Sequence, residues 1–115
     1  MSELVITDVK IGDGKTAVKG ALITTNYRGF LSDGSQFDSS YDKGNSFQCV
    51  IGTGRVIKGW DQGILGMKVG GVRKLEVPAA LAYGERKMGN VIPANSDLSF
   101  EIELLEVLTR DDEIS

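Results

Sequence analysis

Between Ala21 and Leu31 apolar and polar positions alternate. Ala21, Ile23, Thr25, Tyr27 and Gly29 fall on one face of an extended chain, and Leu22, Thr24, Asn26 and Arg28 fall on the other. A period of two with many β-branched residues predicts a strand buried on one side. The same period recurs in Leu98, Phe100, Ile102 and Leu104 against Ser99, Glu101 and Glu103, and in Arg73, Leu75 and Val77 against Lys74 and Glu76 within Val72 to Val77. Phe47 to Ile51 and, more weakly, Leu4 to Ile11 bring the total to about five strands. Ser32-Asp33-Gly34-Ser35 supplies an Asp-Gly pair suited to the positive φ values of a tight hairpin turn. The chain then returns through Gln36-Phe37-Asp38, which begins an irregular segment beside the first strand.

Only Val56 to Leu65 carries helical spacing, with Val56 or Ile57, Trp60 and Ile64 three to four residues apart and Gly66 placed to end the turn. Gly59 and Gly63 each weaken such a helix by roughly 1 kcal/mol relative to alanine, so packing must hold it. The pattern predicts an α+β domain: an antiparallel sheet of about five strands with a single short helix against one face.

Composition narrows the picture. At 115 residues, 41% hydrophobic and 25% charged, the chain suits one soluble domain, expected over residues 1–110. A short acidic tail, 111–115, includes Asp111-Asp112-Glu113 and is expected to be disordered. Glycine is frequent, 15 residues without a fixed period, which fits many tight turns.

The charge balance of 13 basic against 16 acidic residues, with no basic cluster interleaved with aromatics, argues against a nucleic-acid partner. No apolar run approaches the roughly 20 residues of a membrane span, and Met1-Ser2-Glu3-Leu4 lacks the basic and apolar regions of a signal peptide. The expectation is a cytoplasmic monomer.

Candidate chemistry is limited mainly by what is missing. There is no histidine, which removes Ser-His-Asp and Cys-His catalysis and histidine metal sites, and Cys49 is the only cysteine. Gly52-Thr53-Gly54 lacks the third glycine of a dinucleotide loop, Ile57 standing in its place, and Gly14-Lys15-Thr16 lacks the earlier glycine of a phosphate loop, where the chain has Val9. No cofactor and no metal are expected.

What remains is an aromatic set, Tyr27, Phe37, Phe47, Trp60, Tyr83 and Phe100, with Val56, Ile57, Val91 and Ile92 beside it. Composition alone would make these core residues. They lie, however, in ordered segments: Tyr27-Arg28-Gly29, Asp33-Gly34 leading to Phe37-Asp38-Ser39-Ser40, Val56-Ile57-Lys58-Gly59-Trp60-Asp61, and Gly66-Met67-Lys68-Val69-Gly70. Ala82-Tyr83-Gly84, Val91-Ile92-Pro93-Ala94 and Phe100-Glu101-Ile102-Glu103-Leu104-Leu105 continue the series. In this order and spacing, and over nearly the whole chain, the segments resemble the FK506-binding (FKBP) type of peptidyl-prolyl cis/trans isomerase.

That resemblance implies a strongly curved antiparallel sheet wrapped around a short helix, and isomerisation of X-Pro bonds in proline-containing polypeptides. Trp60 becomes the floor of a proline pocket, with Tyr27, Phe37, Val56, Ile57 and Phe100 as walls. Phe47, Val91 and Ile92 join the substrate- and inhibitor-binding set. The Ile57 N–H and the Tyr83 hydroxyl become donors to substrate carbonyls, and Asp38 the polar group at the rim; these three form the implied catalytic set. The macrolides FK506 and rapamycin become the implied inhibitors.

The implied mechanism breaks no bond, since an X-Pro amide has a rotation barrier of about 18–20 kcal/mol and isomers differing by only about 0.5–1 kcal/mol. The rival reading is a binding module or chaperone of the same fold with little catalysis. Relatives with strong holdase activity insert an extra domain in the flap, whereas here only residues 84–92 separate Tyr83 from Pro93. Departures from the family pattern are Asn26 before the strand tyrosine, Ala94 after Pro93, a charged flap at Glu85-Arg86-Lys87-Met88, and Cys49 where an aromatic is frequent. Cys49 is expected to leave one wall of the pocket smaller and more open.

Overall fold

The computed structural model describes residues 3–109. The expected acidic tail, 111–115, lies outside them. Six strands form the sheet: β1 (Val5–Lys10), β2 (Leu22–Leu31), β3 (Gln36–Ser39), β4 (Phe47–Val50), β5 (Val72–Val77) and β6 (Leu98–Leu108). All pairings are antiparallel, in the order β1-β5-β6-β2-β3, with β4 also paired to β2.

The α+β class holds, with one strand and one helix more than the pattern predicts. Gln36-Phe37-Asp38, expected to be irregular, forms most of β3 and pairs with Arg28 to Phe30. β4 pairs farther along the same edge of β2, from Leu22 to Thr25. The two therefore behave as one edge strand interrupted by the four-residue helix α1 (Ser40–Lys43). The Ser39 hydroxyl caps α1 by accepting from the Asp42 N–H at 3.3 Å, and Gly44, at φ 71°, ends it. So short a helix shows no periodicity; its sequence signals are the Ser39 cap and the closing Gly44.

β6 runs to Leu108 with its alternation reset. Thr24 pairs with Glu106 but Thr25 with Leu104, so Leu105 is the extra residue of a bulge, and Val107 rather than Glu106 turns into the core. The centre of the core is Ile23, Ile51, Ile64, Leu75, Leu98, Ile102 and Leu104, all fully buried in one cluster.

Helix α2 (Lys58–Gly63) packs into that cluster through Trp60, with Ile64 at its end. It is shorter than the Val56 to Leu65 span expected, because Ile57 is extended at ψ 150° and Ile64 already closes the last turn. Its glycines are contact points. A Cβ on Gly59 would lie 2.5 Å from Val77 Cγ1, and one on Gly63 2.7 Å from Leu75 Cδ1, so α2 rests its backbone directly on β5. Arg73 Nη1 donates to the Gly63 and Leu65 carbonyls at 2.8 and 3.0 Å, and Arg73 Nε donates to Asp8 Oδ1 on β1 at 2.7 Å. The seat of α2 decides where Trp60 points.

Candidate functional site

A cleft of about 270 Å³ opens at the interrupted edge of the sheet. It is lined by Tyr27, Phe37, Asp38, Phe47, Arg55, Val56, Ile57, Trp60, Tyr83 and Phe100. β2 supplies Tyr27, β3 Phe37 and Asp38, β4 Phe47, α2 Trp60 and β6 Phe100. The loop before α2 supplies Arg55, Val56 and Ile57.

Trp60 is 5% exposed and meets three rings edge to face: Tyr27 at 5.1 Å, Phe100 at 5.5 Å and Phe47 at 5.7 Å between centroids. Phe37 packs the same way on Phe100 at 5.8 Å. Rings at these angles set positive edges against negative faces, which is worth about 0.5–1.5 kcal/mol per pair beyond burial. The result is a rigid aromatic basin with Trp60 beneath it. The Trp60 Nε1–H has no acceptor among the described residues, so ring packing, not a hydrogen bond, holds the indole.

Asp38 closes one side. Its Oδ2 accepts from the Tyr27 hydroxyl at 2.6 Å, and its Oδ1 accepts from the Ser39 N–H at 2.9 Å and pairs with Lys43 Nζ at 2.8 Å. Burial opposes its ionisation, but the bonds from Lys43, Tyr27 and Ser39 outweigh that and hold the carboxyl below the usual range. Burial, reinforced by Asp38, pushes the Tyr27 hydroxyl up to about 12. The neighbouring Ser40 hydroxyl is buried; it accepts from the Tyr27 N–H at 2.8 Å and donates to Asn26 Oδ1 at 2.9 Å. Asp38-Ser39-Ser40 thus carries the end of β3 into the cap of α1 and also fixes Tyr27.

On the other side, Asp61 of α2 holds the loop. Its two carboxylate oxygens accept from the Gly52 and Gly54 N–H groups, each at 2.8 Å. Charge-assisted bonds of this kind are about twice as strong as neutral ones. They set the course of the chain into Val56 and Ile57. The Ile57 carbonyl accepts from the Trp60 and Asp61 N–H groups, while the Ile57 N–H makes no hydrogen bond among the described residues. Tyr83 is half-buried above the cleft, and burial, with a smaller contribution from Asp38, raises its hydroxyl pKa. Its hydroxyl likewise has no partner among the described residues.

Nine of the ten lining residues, all but Arg55, are in the set read from sequence by resemblance: Tyr27, Phe37, Asp38, Phe47, Val56, Ile57, Trp60, Tyr83 and Phe100. Val91 and Ile92 do not line the cleft. Val91 is 53% exposed, and Ile92 is buried where the flap closes on itself, its carbonyl accepting from the Met88 N–H at 2.9 Å. Cys49 does not line it either, so the smaller wall expected there is not found. Cys49 is buried opposite Ile23, and the β4 contribution comes from Phe47 two residues earlier. Burial, helped by Asp61, pushes the Cys49 thiol up to about 11, which leaves it unreactive at neutral pH. Arg55 in the lining and Lys43 behind Asp38 were not foreseen. Both are exposed charges with no periodic pattern to mark them.

This basin has no nucleophile with a lowered pKa, and no cluster able to hold a metal ion occurs among the described residues. It offers an apolar, aromatic-lined seat with two unengaged hydrogen-bond donors, the Ile57 N–H and the Tyr83 hydroxyl.

Comparison with known proteins gives the class. Residues 13–105 match the family described as FKBP-type peptidyl-prolyl cis-trans isomerase. The chain is 50% identical over 107 residues to an FK506-binding protein of Neisseria meningitidis serogroup A, covering 93% of this chain and 98% of that one. It is also 50% identical over 113 residues to FK506-binding protein 1 of Saccharomyces cerevisiae, at 93% and 99% coverage. Among solved structures, AtFKBP13 superposes with a TM-score of 0.84 at 45% identity, covering 90% of this chain and 91% of the other. FkpA from Escherichia coli gives 0.83 at 40% identity, covering 91% of this chain but 48% of the longer one. The chain belongs to the FKBP-type peptidyl-prolyl cis-trans isomerases. It is a small enzyme of that family, with the domain filling most of its length.

Proposed function

We propose that the cleft binds the proline ring of a polypeptide against Trp60 and lowers the barrier to rotation about the preceding amide without proton transfer or covalent chemistry. The observation that carries this is the pairing of an aromatic basin with two unengaged donors, the Ile57 N–H and the Tyr83 hydroxyl. A planar amide is stabilised by charge separation that water solvates better than an apolar basin does. Moving it into the cleft therefore disfavours the planar ground state more than the twisted form. Donors placed to meet the rotated carbonyl add to the difference. Asp38 acts by holding Tyr27 and the electrostatics of the rim.

FK506 and rapamycin are the inhibitors this reading implies, and the names of the relatives support the first. The protein works as a cytoplasmic monomer in this reading; its one cysteine is unpaired and buried, as suits a reducing compartment.

Cis/trans exchange of X-Pro peptides, followed directly by NMR, tests the proposal. Catalysed exchange is expected to stop at saturating FK506, because drug and proline compete for Trp60. Exchange unchanged by bound drug would place the chemistry elsewhere.

The pH profile gives a second test. Asp38, with its lowered pKa, stays ionised above the acid range; Tyr27 and Tyr83, with raised pKa values, stay neutral through and beyond neutrality. The rate constant is therefore expected to be flat between about pH 5 and 9. A bell-shaped profile within that window would mean a proton is transferred.

A further inference from the structure

We propose that Arg55 makes this isomerase selective for prolines flanked by an acidic side chain; the inference rests on the isomerase reading of the cleft. Two charged residues line the cleft, Asp38 and Arg55. Asp38 is already neutralised, since Lys43, the Tyr27 hydroxyl and the Ser39 N–H occupy both of its oxygens. Arg55 is exposed and makes no ion pair or hydrogen bond among the described residues. The unbalanced charge at the mouth of the cleft is therefore positive. The flap residues Glu85, Arg86 and Lys87 are exposed and do not line the cleft.

The backbone that carries Arg55 is fixed. Asp61 holds the Gly54 N–H immediately before it, and the Ile57 carbonyl is tied into the first turn of α2. The guanidinium thus hangs from a rigid loop beside the Val56 and Ile57 wall, and it keeps its donors for a ligand. A guanidinium presents a planar fork that matches a carboxylate in two parallel hydrogen bonds. A peptide whose proline sits over Trp60 would bring its neighbouring side chains to this rim. An acidic one would find a partner there and a basic one repulsion. As the site is open to solvent, the expected preference is modest, about two- to fivefold for an exposed ion pair, and it weakens as salt screens it.

The test is the kcat/KM of cis/trans exchange, measured by NMR so that no protease imposes its own specificity. The peptides carry Glu, Gln or Lys either immediately before or immediately after proline. In at least one of the two positions the order is expected to be Glu over Gln over Lys, with the spread collapsing when ionic strength is raised from about 20 mM to 0.5 M. Arg55→Gln is expected to abolish the order and Arg55→Glu to reverse it, with unchanged urea midpoints showing both variants folded. Equal rates for Glu, Gln and Lys in both positions would overturn the proposal, as would a preference that survives Arg55→Gln. The glutamine peptides separate this outcome from failure of the underlying reading. If they are turned over without charge discrimination, only the role of Arg55 falls; if no peptide is turned over, the isomerase reading falls and the selectivity with it.

Discussion

Trp60→Ala is expected to lower stability by about 3–5 kcal/mol, the usual range for removing a large buried aromatic. That is a large part of the roughly 5–15 kcal/mol by which a domain of this kind is stable. The indole is 5% exposed and joins rings from three strands, so its loss leaves Tyr27, Phe47 and Phe100 facing a void. No protein hydrogen bond to Nε1 is lost, so the effect is one of packing and cavity formation alone. Urea denaturation gives the value from the shift in midpoint at constant slope. A loss below about 1 kcal/mol would mean that the rings do not pack as described, and the basin would lose its floor as a rigid element.

The second large effect goes against helix propensity. Gly59→Ala and Gly63→Ala would each raise the intrinsic stability of α2 by about 1 kcal/mol if the helix stood free. Here the added methyl groups would meet Val77 at 2.5 Å and Leu75 at 2.7 Å, and both partners are fully buried with no room to retreat. Overpacking of this kind typically costs about 1–3 kcal/mol, so it outweighs the propensity gain. Each single variant is expected to be destabilised, and the double variant more so. The displaced helix should also carry Trp60 and the Ile57 N–H out of register with the cleft, lowering the rate of exchange. A rise in the urea midpoint for either variant would show that α2 does not rest on β5.

These two predictions also mark where sequence patterning reached and where it stopped. Alternation put Tyr27 on the buried face of β2 and Phe100 on that of β6, because each strand holds several periods of repeat, while Trp60 was placed on α2 by only two spacings, to Ile57 and to Ile64. The glycines of α2 could be read only as weaknesses, since their partners Leu75 and Val77 belong to a strand that follows after α2 and meets it only in three dimensions. The interruption of the edge strand by α1, which brings Phe37 from β3 and Phe47 from β4 to one cleft, left only the Ser39 cap and Gly44 as its trace. The bulge at Leu105 resets the alternation of β6, and its trace in the sequence is the doubled Leu104-Leu105 followed by Glu106-Val107 in inverted phase.

The functional roles came from resemblance, not from periodicity, and they transferred unevenly. Tyr27, Phe37, Val56, Ile57, Trp60, Tyr83 and Phe100 gather at one cleft, with Asp38 at its side. Val91 and Ile92 do not, because the flap that carries them folds back through the Met88 to Ile92 bridge. Cys49 faces the core beside Ile23 and so does not shape the wall, which β4 supplies through Phe47, already in the set read by resemblance. Arg55 has no signal in the sequence, because an exposed charge in a loop carries no pattern; it stands out only beside an Asp38 that is already paired.

The central claim, that this cleft catalyses rotation about X-Pro bonds, is tested most directly by refolding a protein limited by proline isomerisation, with no protease present. That phase normally takes tens to hundreds of seconds at 25 °C. Its rate is expected to rise in proportion to added enzyme and to fall back to the uncatalysed value when FK506 saturates the cleft. A slow phase left unchanged by micromolar enzyme would contradict the account and leave the cleft as a binding site without catalysis.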